Sequence, residues 1–102
     1  MKIDWNYRER MLMIDGKEIS PVRSQKVFNH SPDGFNSGYS GSGPAQLALG
    51  ILLEAMPQAK AQRLYQRFKW DYVANWKEDF HGEIDIEAWV ARQEESLSHE
   101  HI

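Results

Sequence analysis

Gly41-Ser42-Gly43-Pro44-Ala45-Gln46-Leu47-Ala48-Leu49-Gly50-Ile51-Leu52-Leu53-Glu54-Ala55-Met56-Pro57 organises the rest of the chain around itself. Pro44 suits the first position of a helix, where its missing amide had no partner to lose, with Gly43 or Ser42 as the cap. From Ala45 to Met56 the exceptions to an apolar run are Gln46, Gly50 and Glu54. A helix apolar all round is buried on most sides, so residues 44–56 are expected to form the central core element. The run falls well short of the roughly 20 apolar residues that a bilayer crossing needs. Pro57 stops this helix and can start the next.

Downstream, Ala61, Leu64, Tyr65, Phe68, Tyr72, Val73 and Trp76 recur at steps of three and four within residues 58–76, one amphipathic face. Lys60, Arg63 and Arg67 lie opposite, and Lys69 extends them into a basic stripe. Asp85 can cap a last helix with Ile86, Trp89, Val90 and Leu97 on its inner side. Upstream, residues 29–43 form a Gly/Ser-rich loop holding four of the seven glycines. Phe35 and Tyr39 sit inside it, which a plain linker would not carry. Ser31-Pro32-Asp33-Gly34 fits a type I turn. Before the loop, Arg10-Met11-Leu12-Met13-Ile14, Asp15-Gly16 and Lys17-Glu18-Ile19 spell a tight hairpin, and Val27-Phe28 would add a short third strand. The expected fold is α+β: a small N-terminal antiparallel β-hairpin or sheet packed on three α-helices. It divides a single domain, 1–102, into a β-rich 1–28, the loop 29–43, a helical 44–97 and a tail 98–102.

With 102 residues the chain supports one modest core. It has no cysteine, which removes disulfides, thiolate metal sites and cysteine nucleophiles together. Met1-Lys2-Ile3-Asp4-Trp5 lacks the apolar run of a signal peptide, so a cytoplasmic protein is expected. The net charge of −3 is too mild to draw the molecule onto a polyanion, but it is unevenly spread. Residues 57–82 hold five basic and three acidic side chains, residues 83–102 one basic and six acidic. Twelve per cent of the residues are aromatic, enough rings to fill a core and still leave some as binding anchors.

Asn29-His30-Ser31-Pro32-Asp33-Gly34-Phe35, then Gly38-Tyr39, then Gly41-Ser42-Gly43-Pro44-Ala45-Gln46-Leu47-Ala48-Leu49 resembles a widespread family of short bacterial proteins of unknown function. Leu64-Tyr65-Gln66-Arg67-Phe68-Lys69 extends the likeness. The family is often met in phages, plasmids and other mobile elements, and the resemblance implies that setting together with a shared fold. Ser37 stands where the family usually has Trp, and Ser40 where Gly is expected.

The chemistry that these residue types could carry is limited. A glycine loop entering a helix N-terminus can bind an anion, but no Lys-Ser or Lys-Thr follows the glycines and Pro44 deletes one amide. The competing reading is close backbone packing under Phe35 and Tyr39. His30, Ser31 and Asp33 are the residue types of a hydrolase triad, yet neighbours in one turn cannot easily align as nucleophile, base and orienter. His99, Glu100 and His101 offer a metal no preformed site, and no metal or cofactor is expected. The reading that emerges is a non-enzymatic protein working by protein–protein contact with a host or element protein, host-defence inhibition being one form. Its expected contact residues are His30, Ser31, Phe35, Tyr39 and Ser42, with the acidic Glu87, Glu94 and Glu95 second. The alternatives are nucleic-acid binding through Lys60, Arg63, Arg67 and Lys69, and a small enzyme or anion site at the glycine loop.

Overall fold

The computed structural model describes residues 1–100, with side chains described through Glu95. The leading segment alternates, and Ile3 and Trp5 on β1 (Lys2–Asn6) are both fully buried. On β2 (Met11–Ile14) Leu12 and Ile14 are buried, while Met11 faces outward. Antiparallel register sets Ile3 opposite Ile14 and Trp5 opposite Leu12, so one face of the sheet is a continuous apolar surface. Asp15 and Gly16 both take positive φ in the turn to β3 (Lys17–Ile19), the conformation that an Asp-Gly hairpin turn demands. The fourth strand, β4 (Phe80–Glu83), returns from far along the chain to the other side of β1, for an order β3-β2-β1-β4. The expected α+β architecture is observed, with a four-stranded antiparallel sheet and three substantial helices.

A short fourth helix corrects the expectation at Val27-Phe28. Residues Val22–Val27 form α1, begun by Ser20, whose Oγ accepts the Val22 amide at 3.2 Å, and by Pro21 with its helical φ. Phe28 is extended but pairs with no strand, because its carbonyl is taken by a side chain described below. The central helix α2 (Ser42–Ala55) starts two residues before Pro44, with extended Gly41 as its cap residue and no side-chain cap bond. Every residue from Gly43 to Leu53 is buried. Helix α3 (Gln58–Asp71) is shorter than the 58–76 pattern suggests and gives way to a 3₁₀ turn at Val73–Asn75. The backbone leaves helical geometry at Tyr72 (φ −130°), and the loop before α2 ties down the turn that follows: the Gly38 amide bonds the Val73 carbonyl, and the Ser37 hydroxyl that of Trp76. Asp85 caps α4 (Ile86–Glu100) as expected, its Oδ1 accepting the Ala88 amide at 3.0 Å.

Gly50, in the middle of α2, shows how tightly the loop seats on this core. A Cβ there would lie 2.8 and 2.9 Å from two Phe35 ring atoms, and Phe35 itself is buried. Glycine in a helix interior costs about 1 kcal/mol relative to alanine. Overpacking a filled core costs about 1 to 3 kcal/mol, so Gly50→Ala is expected to be net destabilising by up to about 2 kcal/mol. Urea denaturation measures this; a stabilised variant would show that the Phe35 ring moves aside at little cost.

Candidate contact site

Gln46 is the one long polar side chain in the fully buried stretch of α2, and its exposure is 0%. Each of its polar positions is used. Oε1 accepts the backbone amides of His30 at 2.8 Å and Ser31 at 3.0 Å. Nε2 donates to Ser24 Oγ at 2.9 Å and to the Phe28 carbonyl at 3.1 Å. Ser24 passes the chain of bonds on by donating to the Pro21 carbonyl. One side chain on the central helix thus fixes α1 and the turn after it.

The fixed segment carries two rings outward. Phe28 stacks on the His30 imidazole with centroids 4.2 Å apart, and Phe28 is 54% exposed. His30 Nε2 and the Tyr65 hydroxyl of α3 form a 2.6 Å hydrogen bond. Burial and, second, the nearby Lys69 charge hold the His30 imidazole below its ordinary pKa, so it is neutral at pH 7. One turn beyond Tyr65, Lys69 places its Nζ 5.0 Å from the centroid of the Trp70 ring, and Trp70 is 60% exposed. Phe28, His30, Tyr65, Lys69 and Trp70 therefore follow one another across a single face.

The family model for a family of unknown function, DUF6166, matches residues 6–92. The chain belongs to DUF6166. No curated protein and no solved structure matches it. In this DUF6166 chain the residues expected at the site are dispersed. His30 is on the face just described and Ser31 is beside it. Phe35 is interior under Gly50, a correction to its expected place in a contact surface. Tyr39 is half exposed and lies on Gly41, where a Cβ would come within 2.5 Å of its ring; Gly43 is crowded in the same way by Asn36. These two glycines serve close packing around the start of α2, where Ser42 is exposed. Among the described residues no hydrogen bond joins the side chains of His30, Ser31 and Asp33. Ser37 is buried, accepting from Trp5 Nε1 and donating to the Trp76 carbonyl, both at 2.7 Å.

The two charged candidate surfaces meet each other. Lys60 Nζ pairs with Glu94 Oε1 at 3.2 Å, and Arg67 donates to Gln93 at 3.2 Å, both across the junction of α3 and α4. Arg63 is exposed, and Lys69 turns to the ring face, so the four basic residues do not form one stripe. Glu87 and Glu95 are exposed on α4. A depression of about 600 Å³ beside Glu87 is lined by Met1, Asp15, Glu83 and Asp85, remote from the rings. Among the described residues no cluster of potential metal ligands occurs, and no helix is long and apolar enough to cross a membrane. His99, Glu100 and His101 lie outside the residues whose side chains are described, as does Leu97.

Sequence reasoning passed over Gln46, Tyr65 and Phe28 as site components. Gln46 had a visible signal, a lone amide in an apolar helix. Tyr65 and Lys69 had another, the i, i+4 spacing that puts two side chains side by side on a helix.

Proposed function

We propose that this protein is a non-enzymatic binding module that works by protein–protein contact through the face of Phe28, His30, Lys69 and Trp70. The observation that carries this reading is the buried four-bond clamp of Gln46, which immobilises a segment whose most prominent side chain points into solvent. Rings held rigid before binding lose little entropy on association, which is why aromatic anchors dominate interface energetics. The mobile-element setting implied by the family resemblance makes a host protein the expected partner, with inhibition of a host defence one form of the activity.

The test is affinity capture from a bacterial lysate with the wild type, a Phe28→Ala/Trp70→Ala double variant and an Arg92→Ala control on exposed α4. A partner retained by wild type and control, and reduced at least tenfold by the double variant, is the expected result. A partner held equally by all three, or no partner at all, would overturn the reading. Both rings are more than half exposed, so the double variant should melt within a few degrees of the wild type.

A further inference from the structure

We propose that Lys69 and Tyr65 form a carboxylate-binding site within this face, its occupant an acidic segment of a partner protein whose apolar side chains lie on Phe28 and Trp70. The inference rests on the contact-face reading and names the chemistry of what binds there.

Lys69 is 7% exposed, yet among the described residues its ammonium has no hydrogen-bond or ion-pair partner; its one polar contact is the Trp70 ring. Burying an ammonium without an anion is unfavourable, and a ring face offsets only part of that cost. Among the described residues every side-chain nitrogen or oxygen sealed from solvent is hydrogen-bonded, so the unbonded Lys69 Nζ keeps a contact with solvent. It is thus a lysine with a buried stem and an ammonium open at its tip, without an anion and with a ring beside it.

Tyr65 precedes Lys69 by one helical turn, which puts the two side chains next to each other on one face of α3, and the Lys69 charge acts on the imidazole that the Tyr65 hydroxyl bonds. The hydroxyl shares its 2.6 Å bond with His30 Nε2. When Nε2–H is the donor, the phenolic hydrogen is released to point at an anion next to Lys69. Neutral His30 permits that tautomer. The backbone around the site contributes cations alone: residues 20–32 contain Arg23 and Lys26, residues 55–70 contain Lys60, Arg63, Arg67 and Lys69, and neither stretch holds an acid. The nearest acids in sequence are Asp33, which is exposed, Glu54, paired with Arg23, and Asp71, which accepts from the Trp89 indole.

A nucleic acid fits less well. Following a phosphate backbone takes several cations, and Arg23, Lys60 and Arg67 are already engaged within the chain. A single unpaired lysine beside an exposed ring suits one carboxylate flanked by apolar groups.

The probes are acetyl-Gly-Glu-Phe-Glu-Phe-Gly-amide, its counterpart with Gln in place of Glu, and a twelve-residue oligothymidylate. Each is titrated into the whole protein while the Trp70 indole N–H is followed by NMR, for the wild type and for Lys69→Met. Met keeps the apolar stem and removes the charge, so this variant should melt at or above the wild-type temperature. The expected result is that the Glu peptide shifts the Trp70 signal, with affinity about tenfold lower for the Gln peptide and for Lys69→Met. Equal binding of the two peptides, indifference to Lys69→Met, no binding by either peptide, or tighter salt-sensitive binding of the oligothymidylate would each overturn the carboxylate site. Partner capture that depends on Trp70 but not on Lys69 would overturn it too, while leaving the contact face intact.

Discussion

Replacing Gln46 by Leu is expected to lower the unfolding free energy by about 3 to 5 kcal/mol, although the change conserves helix propensity and nearly conserves volume. Four groups each lose a bond at once: the Ser31 amide and the Ser24 hydroxyl lose the Gln46 amide as partner, and the His30 amide and Phe28 carbonyl keep only their mutual 3.2 Å bond, while Ser24 still donates to the Pro21 carbonyl. A buried polar group left unsatisfied costs about 1 to 3 kcal/mol, and those of the four that keep some solvent contact fall at the low end. For a domain with a total stability of about 5 to 15 kcal/mol this is a large share. Urea denaturation gives the magnitude, and hydrogen exchange should show residues 24–31 opening below the global free energy. A loss under about 1 kcal/mol would mean that water replaces the amide, and that the rings are not rigidly held.

Ser37→Ala is expected to cost about 2 to 4 kcal/mol, far more than the removal of one hydroxyl from a surface loop. The Ser37 hydroxyl is the shared partner of the Trp5 indole N–H on β1 and the Trp76 carbonyl after the 3₁₀ turn. Alanine orphans both in a site where Trp5 is wholly buried and Trp76 nearly so. The loss would tie the loop, the sheet and the end of α3 into one cooperative unit. A cost near zero in thermal and urea unfolding would show instead that the loop is only laid over the core.

The parts of the fold that local chemistry decides were legible. Asp15-Gly16 demands its turn, Asp85 its cap, and the apolar run through Leu53 its burial, whatever lies around them. Strand β1 was covered only by the β-rich reading of residues 1–28, and β4 was not legible, because Phe80-His81-Gly82-Glu83 has no strand character until β1 supplies the partner. The same limit applies to the site. Val27-Phe28 has the composition of a strand, and what diverts it is an amide on α2, eighteen residues from Phe28. His30 was identifiable from its loop, but its partner Tyr65 was assigned to a core stripe, where most of that side chain does lie. Phe35 and Phe28 exchanged roles for a steric reason: Gly50 leaves a space that fits the Phe35 ring, which takes it to the interior.

The most direct measurement of where this protein binds is a hydrogen-exchange footprint of its complex with a captured partner. Protection is expected in two separate stretches, residues 24–31 and residues 65–72, which meet only in the folded face of Phe28, His30, Lys69 and Trp70. Protection confined to α4 around Glu87 and Glu94, or to the glycine loop at residues 39–43, with none at Trp70, would contradict the account.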